Sequence, residues 1–175
     1  MATSYYIDGY NVIHFSKQLG PLSTASFENA REALIDQVAR FCVMTGHKAT
    51  IIFDGRGRKI EEGKAAYKVN NLEILYSPGH KTADSIIERI VYSAPDRYSI
   101  IVVSGDEGIR TFCRGLGALV MEPDNFLASI READADTRAT LKNLKQPDSQ
   151  RRVEERLNED ALERLRKLKE KLEKW

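Results

Sequence analysis

Four aspartates stand at points where this chain changes character. Asp8 in YYIDGYN and Asp54 in TIIFDGRG close apolar runs, Asp106 in SIIVVSGDEGI follows another, and Asp84 in GHKTADSIIERIV opens a helical pattern. One such carboxylate has an ordinary explanation, because Asp favours turns and helix N-caps through local hydrogen bonds. Asp84 and Asp106 could each serve only a helix N-terminus, Asp54 could be a turn residue before Gly55, and Asn11 could cap the turn at Gly9. Asp8 is harder to dismiss: a carboxylate straight after Tyr5, Tyr6 and Ile7 must be solvated or paired. In an open parallel α/β sheet, groups at the carboxyl ends of strands converge from distant parts of the chain. Gathered carboxylates repel one another unless a cation neutralises them, and an all-oxygen set suits Mg²⁺ or Mn²⁺. The chemistry this would serve is metal-assisted hydrolysis of a phosphodiester.

The elements that must position these residues are legible as alternating periods. Apolar runs of strand length fall at residues 5–7, 49–53, 72–76, 99–103 and 118–121. Helical periodicity occupies 26–44, with Ser26 as N-cap and Gly46 as stop, and 82–92, with Ile86, Ile87, Ile90 and Val91 as its buried stripe. Two further helices are expected over 105–116 and 123–133, the second with Pro123 in its first turn, where a missing N–H does no harm. Strands alternating with helices imply a five-stranded, mostly parallel sheet with both faces covered.

Bulk composition bounds the rest. The 175 residues, 42% hydrophobic and 30% charged, fit one domain with an appendage. A formal net charge of +1 means that nucleic-acid binding must come from local clusters of Lys and Arg. Cys42 and Cys113 lack metal-ligand spacing and read as buried free thiols. No leader pattern and no long apolar run occur, so a soluble cytoplasmic protein without membrane contact is expected. From residue 147 the composition shifts to nine basic and eight acidic residues in the 29 of 147–175. There Leu157, Ala161, Leu165, Leu168, Leu172 and Trp175 step at helical spacing, a narrow stripe on a charged amphipathic helix. Such a helix could pack on its own domain, form a homodimer or dock a protein partner. Residues 1–133 are expected to form the main domain, with 134–146 as a hinge.

Other phosphate machines with strand-ending acids are tested by their signatures. A haloacid-dehalogenase-type phosphatase needs a second Asp two residues after its nucleophile, and Tyr10 stands there. A receiver domain needs an acidic pair and a strand-ending Lys, and neither is present. P-loop and dinucleotide motifs are missing, and His14, His47 and His80 have no G-x-S-x-G partner. Just after Asp54 the segment 56–68 carries Arg56, Arg58, Lys59, Lys64, Tyr67 and Lys68. Its position on the catalytic rim favours RNA backbone contacts, with Tyr67 able to stack on a base. His80, Lys81 and Arg110 are further candidates for phosphate contact, and Tyr10 could stack on substrate or pack over the first long helix.

The surviving reading is specific. The string Ile7-Asp8-Gly9-Tyr10-Asn11-Val12-Ile13 resembles the opening motif of the NYN domain, in particular its YacP-like branch. Ile52-Phe53-Asp54-Gly55, Thr82-Ala83-Asp84-Ser85 and Val103-Ser104-Gly105-Asp106-Glu107-Gly108 follow in the order that branch has them, a resemblance over about 4–132. It implies a PIN-like three-layer α/β sandwich and a metal-dependent ribonuclease. Asp8, Asp84 and Asp106 would be the catalytic, metal-binding acids, with Asn11 orienting a ligand or phosphate. Some relatives carry another Asp where this chain has Gly108, which leaves Glu107 and Asp54 as candidates for a fourth ligand. The expected function is endonucleolytic, Mg²⁺- or Mn²⁺-dependent cleavage of single-stranded RNA in RNA processing or decay. An inactive RNA-binding or scaffold module is the alternative, and a metal-dependent phosphatase a third.

Overall fold

A computed structural model describes residues 3–55, 67–69, 71–78 and 81–145. Its first strand, β1 (Ser4–Asp8), runs directly into two short helices, α1 (Gly9–Phe15) and α2 (Leu19–Ala25), and then the long α3 (Phe27–Thr45). Strand β2 (Lys48–Phe53) follows, then β3 (Tyr67–Val69), β4 (Leu72–Tyr76), helix α4 (Ala83–Ser93) and a 3-10 turn at Arg97–Ser99. The chain continues through β5 (Ile100–Val103), α5 (Glu107–Gly115), β6 (Leu119–Met121) and α6 (Pro123–Lys145).

The strands form one sheet in the order β3-β4-β2-β1-β5-β6. Five of them are the expected five and pair in parallel, with β1 flanked by β2 (Asp8 opposite Ile52) and by β5 (Ile7 opposite Val103). The sixth, β3, is antiparallel to β4 at the edge. Its three residues are too few to show an apolar alternation, and they fall at the end of the basic segment read as a loop. From β1 the chain steps to β2 and β4 on one side, then returns to β5 and β6 on the other. The reversal opens a crevice at the carboxyl ends of β1 and β5, the usual ligand position in an open α/β sheet.

Each face of the sheet is sealed by its own cluster. Ile7, Ile51 and Phe53 meet Leu34 and Val38 of α3, Val12 and Ile13 of α1, and Phe126 of α6. On the other face Ile52 and Val102 meet Ile87 and Val91 of α4 and Ile109 and Cys113 of α5. Neighbours Ile51, Ile52 and Phe53 are all fully buried because they alternate between two dry faces. Each such side chain contributes about 1.5–3 kcal/mol. Cys42 and Cys113 are buried free thiols, as read from the sequence, and burial pushes both up to about 11.

The helix expected over 26–44 appears with Ser26 as its N-cap and with Gly46 in the left-handed region at φ 70° closing it. Helices α1 and α2 have no strong sequence signature: tertiary packing of Val12, Ile13 and Leu19 holds them rather than propensity. Helix α6 continues past the expected end at residue 133, to Lys145. Compact units divide at Asp136 and Thr137, and of the second unit only 137–145 is described, as helix. The amphipathic helix expected over 147–175 lies outside the described residues. Among the described residues no helix is long and apolar enough to cross a membrane.

Candidate metal centre

The acids reach the crevice on four separate segments. Asp8 ends β1 and is the N-cap of α1, its Oδ1 accepting the Asn11 N–H at 3.1 Å. Asp54 follows β2, and its Oδ1 accepts the Ala83 N–H at 2.7 Å and the Ser77 hydroxyl at 3.4 Å. The Ser77 bond fastens the end of β2 to the β4 exit and the Ala83 bond to the start of α4, where Asp84 stands in the first turn behind the N-cap Thr82. Asp106 caps α5, its Oδ1 accepting the Ile109 N–H at 3.0 Å, while its own N–H donates to the buried Ser104 hydroxyl at 3.1 Å.

Two glycines of the motifs are demanded by close approach. A Cβ on Gly55 would lie 1.9 Å from the Ser77 carbonyl oxygen, so no other residue lets the β2 end pack against the strand-β4 exit. A Cβ on Gly105 would come within 2.8 Å of Asn11 Oδ1 and 2.5 Å of the Phe15 ring. With only hydrogen there, the Gly105 N–H donates to Asn11 Oδ1 at 2.5 Å and ties α1 to the β5–α5 turn. Asn11 thus sets the Asp8 segment against the Asp106 segment.

The electrostatics register the convergence. Asp8 is 7% exposed, and burial, then repulsion from Asp84, Asp54 and Asp106, raises its carboxyl from 3.8 to about 7 against the opposing Asn11 N–H. Asp84 is raised by burial and by Asp106, Asp54 and Glu88, while a hydrogen bond from the Asp8 carboxyl opposes the rise. The donors are all hard oxygens, which fits Mg²⁺ or Mn²⁺. They do not form a finished cage: among the described residues no three acidic, His or Cys side chains stand at mutual ligand spacing. Asp8 and Asp106 each commit one oxygen to a helix cap.

The remaining candidates separate clearly. Glu107 is exposed, pairs with Arg110 and accepts the Thr111 hydroxyl at 3.3 Å; the Arg110 hydrogen bond lowers its carboxyl. It is absent from the groups that perturb Asp8 and Asp84, whereas Asp54 acts on both. Arg110 also donates to Glu122 Oε1 at 2.5 Å, so its guanidinium is held within its own surface. Lys81 sits in the turn before α4, its N–H donating to the Pro78 carbonyl at 2.8 Å. Tyr10 packs over α3, edge-on to Phe53 and Phe27, with its hydroxyl accepting from Arg31 at 3.3 Å. Arg56, Arg58, Lys59, Lys64 and His80 lie outside the described residues; Tyr67 and Lys68 are described only as backbone of β3.

Sequence reasoning missed Glu88, which lies on α4 one turn beyond Asp84 and whose i, i+4 spacing was the available signal. It also missed the buried hydroxyls Ser77 and Ser104, which orient Asp54 and Asp106 and carry no signal of their own. Cavities occur elsewhere: about 300 Å³ beside Lys17, Gln37 and Arg131, and about 350 Å³ at the opposite edge of the sheet beside Tyr6, Lys48 and Glu73. Neither is lined by any of the four aspartates.

A sequence model of the YacP-like NYN domain matches residues 5–170. That span exceeds the expected 4–132, so the charged C-terminal segment belongs to the family pattern. The uncharacterised protein YacP of Bacillus subtilis (strain 168) is 29% identical over 126 residues, covering 71% of this chain and 72% of that protein. A crystal structure of Rae1 (YacP) from Bacillus subtilis is similar in fold, with a TM-score of 0.65 at 24% identity over 95% of this chain and 94% of that one. A point-mutant form of that protein gives a TM-score of 0.66 at 24% identity, covering 82% and 83%.

Proposed function

Because the chain belongs to the YacP-like NYN domain family, we propose that it is a divalent-metal-dependent ribonuclease that cuts single-stranded RNA internally. The observation that carries this reading is the convergence of Asp8, Asp54, Asp84 and Asp106 at the sheet's reversal point, where Asp54, Asp84 and Asp106 all raise the buried Asp8 carboxyl. Three of the four also serve the fold, Asp8 and Asp106 as helix caps and Asp54 as a tie to α4, but those roles do not require the acids to meet. A bound Mg²⁺ or Mn²⁺ supplies Lewis acidity at the scissile phosphate and makes water a competent nucleophile near neutral pH.

The chain's own residues do the remaining work. Asp8, Asp84 and Asp106 hold the ion, with Asp54 favoured over Glu107 as the fourth acid because it shares their field. Asp8 must surrender its proton before it can ligate, so its raised carboxyl makes metal binding weaken as the pH falls. Asn11 keeps the Asp8 and Asp106 segments in register through Gly105. The basic segment 56–68, rich in Arg and Lys, would bind the RNA backbone. The test is cleavage of a labelled single-stranded RNA by the purified chain: products should appear with Mg²⁺ or Mn²⁺ and cease with EDTA. Metal-indifferent RNA binding without cleavage would favour the scaffold alternative, which the departure at Gly108 and the unfinished cage keep in view.

A further inference from the structure

Resting on the ribonuclease reading, we propose that Phe15, backed by His14, is a stacking platform for an unpaired base beside the scissile phosphate. Phe15 is the last residue of α1 and is 50% exposed. Side chains on a helix lean toward its N-terminus. The Phe15 ring accordingly lies over Gly105, sharing that residue with Asn11 Oδ1. Asp106 is the next residue, and its carboxylate is exposed. A half-exposed phenyl ring thus borders the acidic cluster. The exposed His14 ring stands edge-on to it at 5.7 Å and 89°, which props the phenyl ring from one side.

The neighbourhood explains why a ring is useful there. Four carboxylates repel every RNA phosphate except one bridged by a cation, and a net charge of +1 provides little general attraction. A contact indifferent to charge would add grip close to the cut beyond what the basic segment 56–68 supplies. Stacking of a base on an aromatic side chain is such a contact, and it tolerates every base because every base has a π-face. Bases in an A-form duplex are stacked on one another and their faces are closed to a side chain. The platform therefore selects RNA that is unpaired at the cut and is indifferent to which base stands there.

The experiment uses the full chain. Trp175 is the single tryptophan. Trp175→Phe with Phe15→Trp makes residue 15 the only indole reporter. Its emission, with Ca²⁺ in place of Mg²⁺, is followed against a single-stranded oligouridylate and against an abasic oligomer of equal length. Quenching by the first and much weaker quenching by the second are expected. Phe15→Leu keeps bulk against Gly105 without a π-face. It should raise KM for single-stranded RNA about tenfold with a smaller change in kcat. Tyr98→Ala, an exposed aromatic on the opposite edge of the sheet, should leave both unchanged. Equal quenching by the abasic oligomer, or an unaltered KM in a folded Phe15→Leu chain, overturns the platform while wild-type cleavage leaves the ribonuclease reading intact. A wild-type chain that neither cleaves nor binds the oligomer overturns both.

Discussion

The two ends of the central sheet differ in how their polar groups are settled. At the amino ends of β1 and β2 a cavity of about 350 Å³ is lined by Ser4, Tyr6, Lys48, Thr50, Asn71 and Glu73, a mixture of charge and hydroxyl. At the carboxyl ends Asp54, Asp84 and Asp106 all bear on the Asp8 carboxyl and raise it. The first edge is a hollow of mixed lining, and the second gathers charge of one sign. The field is the better guide, since a sequence selected for stability alone would not gather carboxylates around the buried Asp8.

The largest effect should come from removing an acid. Asp84→Asn or Asp106→Asn is expected to lower metal-dependent cleavage by about a thousandfold, the loss of several kcal/mol of transition-state stabilisation. Glu73→Gln at the amino edge should leave the rate near wild type. Equal losses at both edges, read as initial rates on one labelled RNA, would erase the contrast.

Stability should move the other way. The Asp8 carboxyl is raised from 3.8 to about 7 in the folded chain, so the fold binds its proton more tightly than the unfolded chain does. Its stabilising contribution is full below about 4 and is lost as pH climbs toward 7. Denaturant melts in EDTA should show wild type weakening across that window. Asp8→Asn keeps a competent N-cap and should flatten the profile, adding about 1–3 kcal/mol at pH 8. A parallel pair of profiles would mean that Asp8 is solvated after all.

Much of this was legible in the sequence and some was not. The four acids and the five parallel strands were, because a strand that ends in Asp-Gly or Ser-Gly-Asp leaves both an apolar run and a turn signal. Helix α1 was not, since Gly9–Phe15 contains no strong helix former apart from its packing residues and depends on Asp8 as cap. That gap also hid Phe15, whose place over Gly105 follows from the helix. Glu107 is a fourth-ligand candidate on the sequence because Gly108 stands where some relatives carry another Asp. One residue along a helix turns the side chain by about 100°, and it meets Arg110 instead.

Smaller effects refine the picture of the rim. Gly55→Ala should destabilise by about 1–3 kcal/mol, because its new Cβ meets backbone at Ser77 rather than a movable side chain. Asn11→Ala should remove about 1 kcal/mol with the Gly105 tether and reduce cleavage more than it reduces stability. A melt in which Gly55→Ala equals wild type would mean that the β2 end is loosely packed. Glu107→Gln should leave metal-dependent cleavage almost unchanged, as expected for an exposed residue paired within its own helix.

The most direct measurement is thermal unfolding of the full chain at pH 8 against increasing Mn²⁺, for wild type and for the Asp8→Asn, Asp84→Asn double variant. If a divalent cation relieves the repulsion among these acids, the wild-type midpoint rises with Mn²⁺ and saturates, while the double variant starts higher in EDTA and stays flat. A wild-type midpoint indifferent to Mn²⁺, or an equal rise in the double variant, would contradict the account.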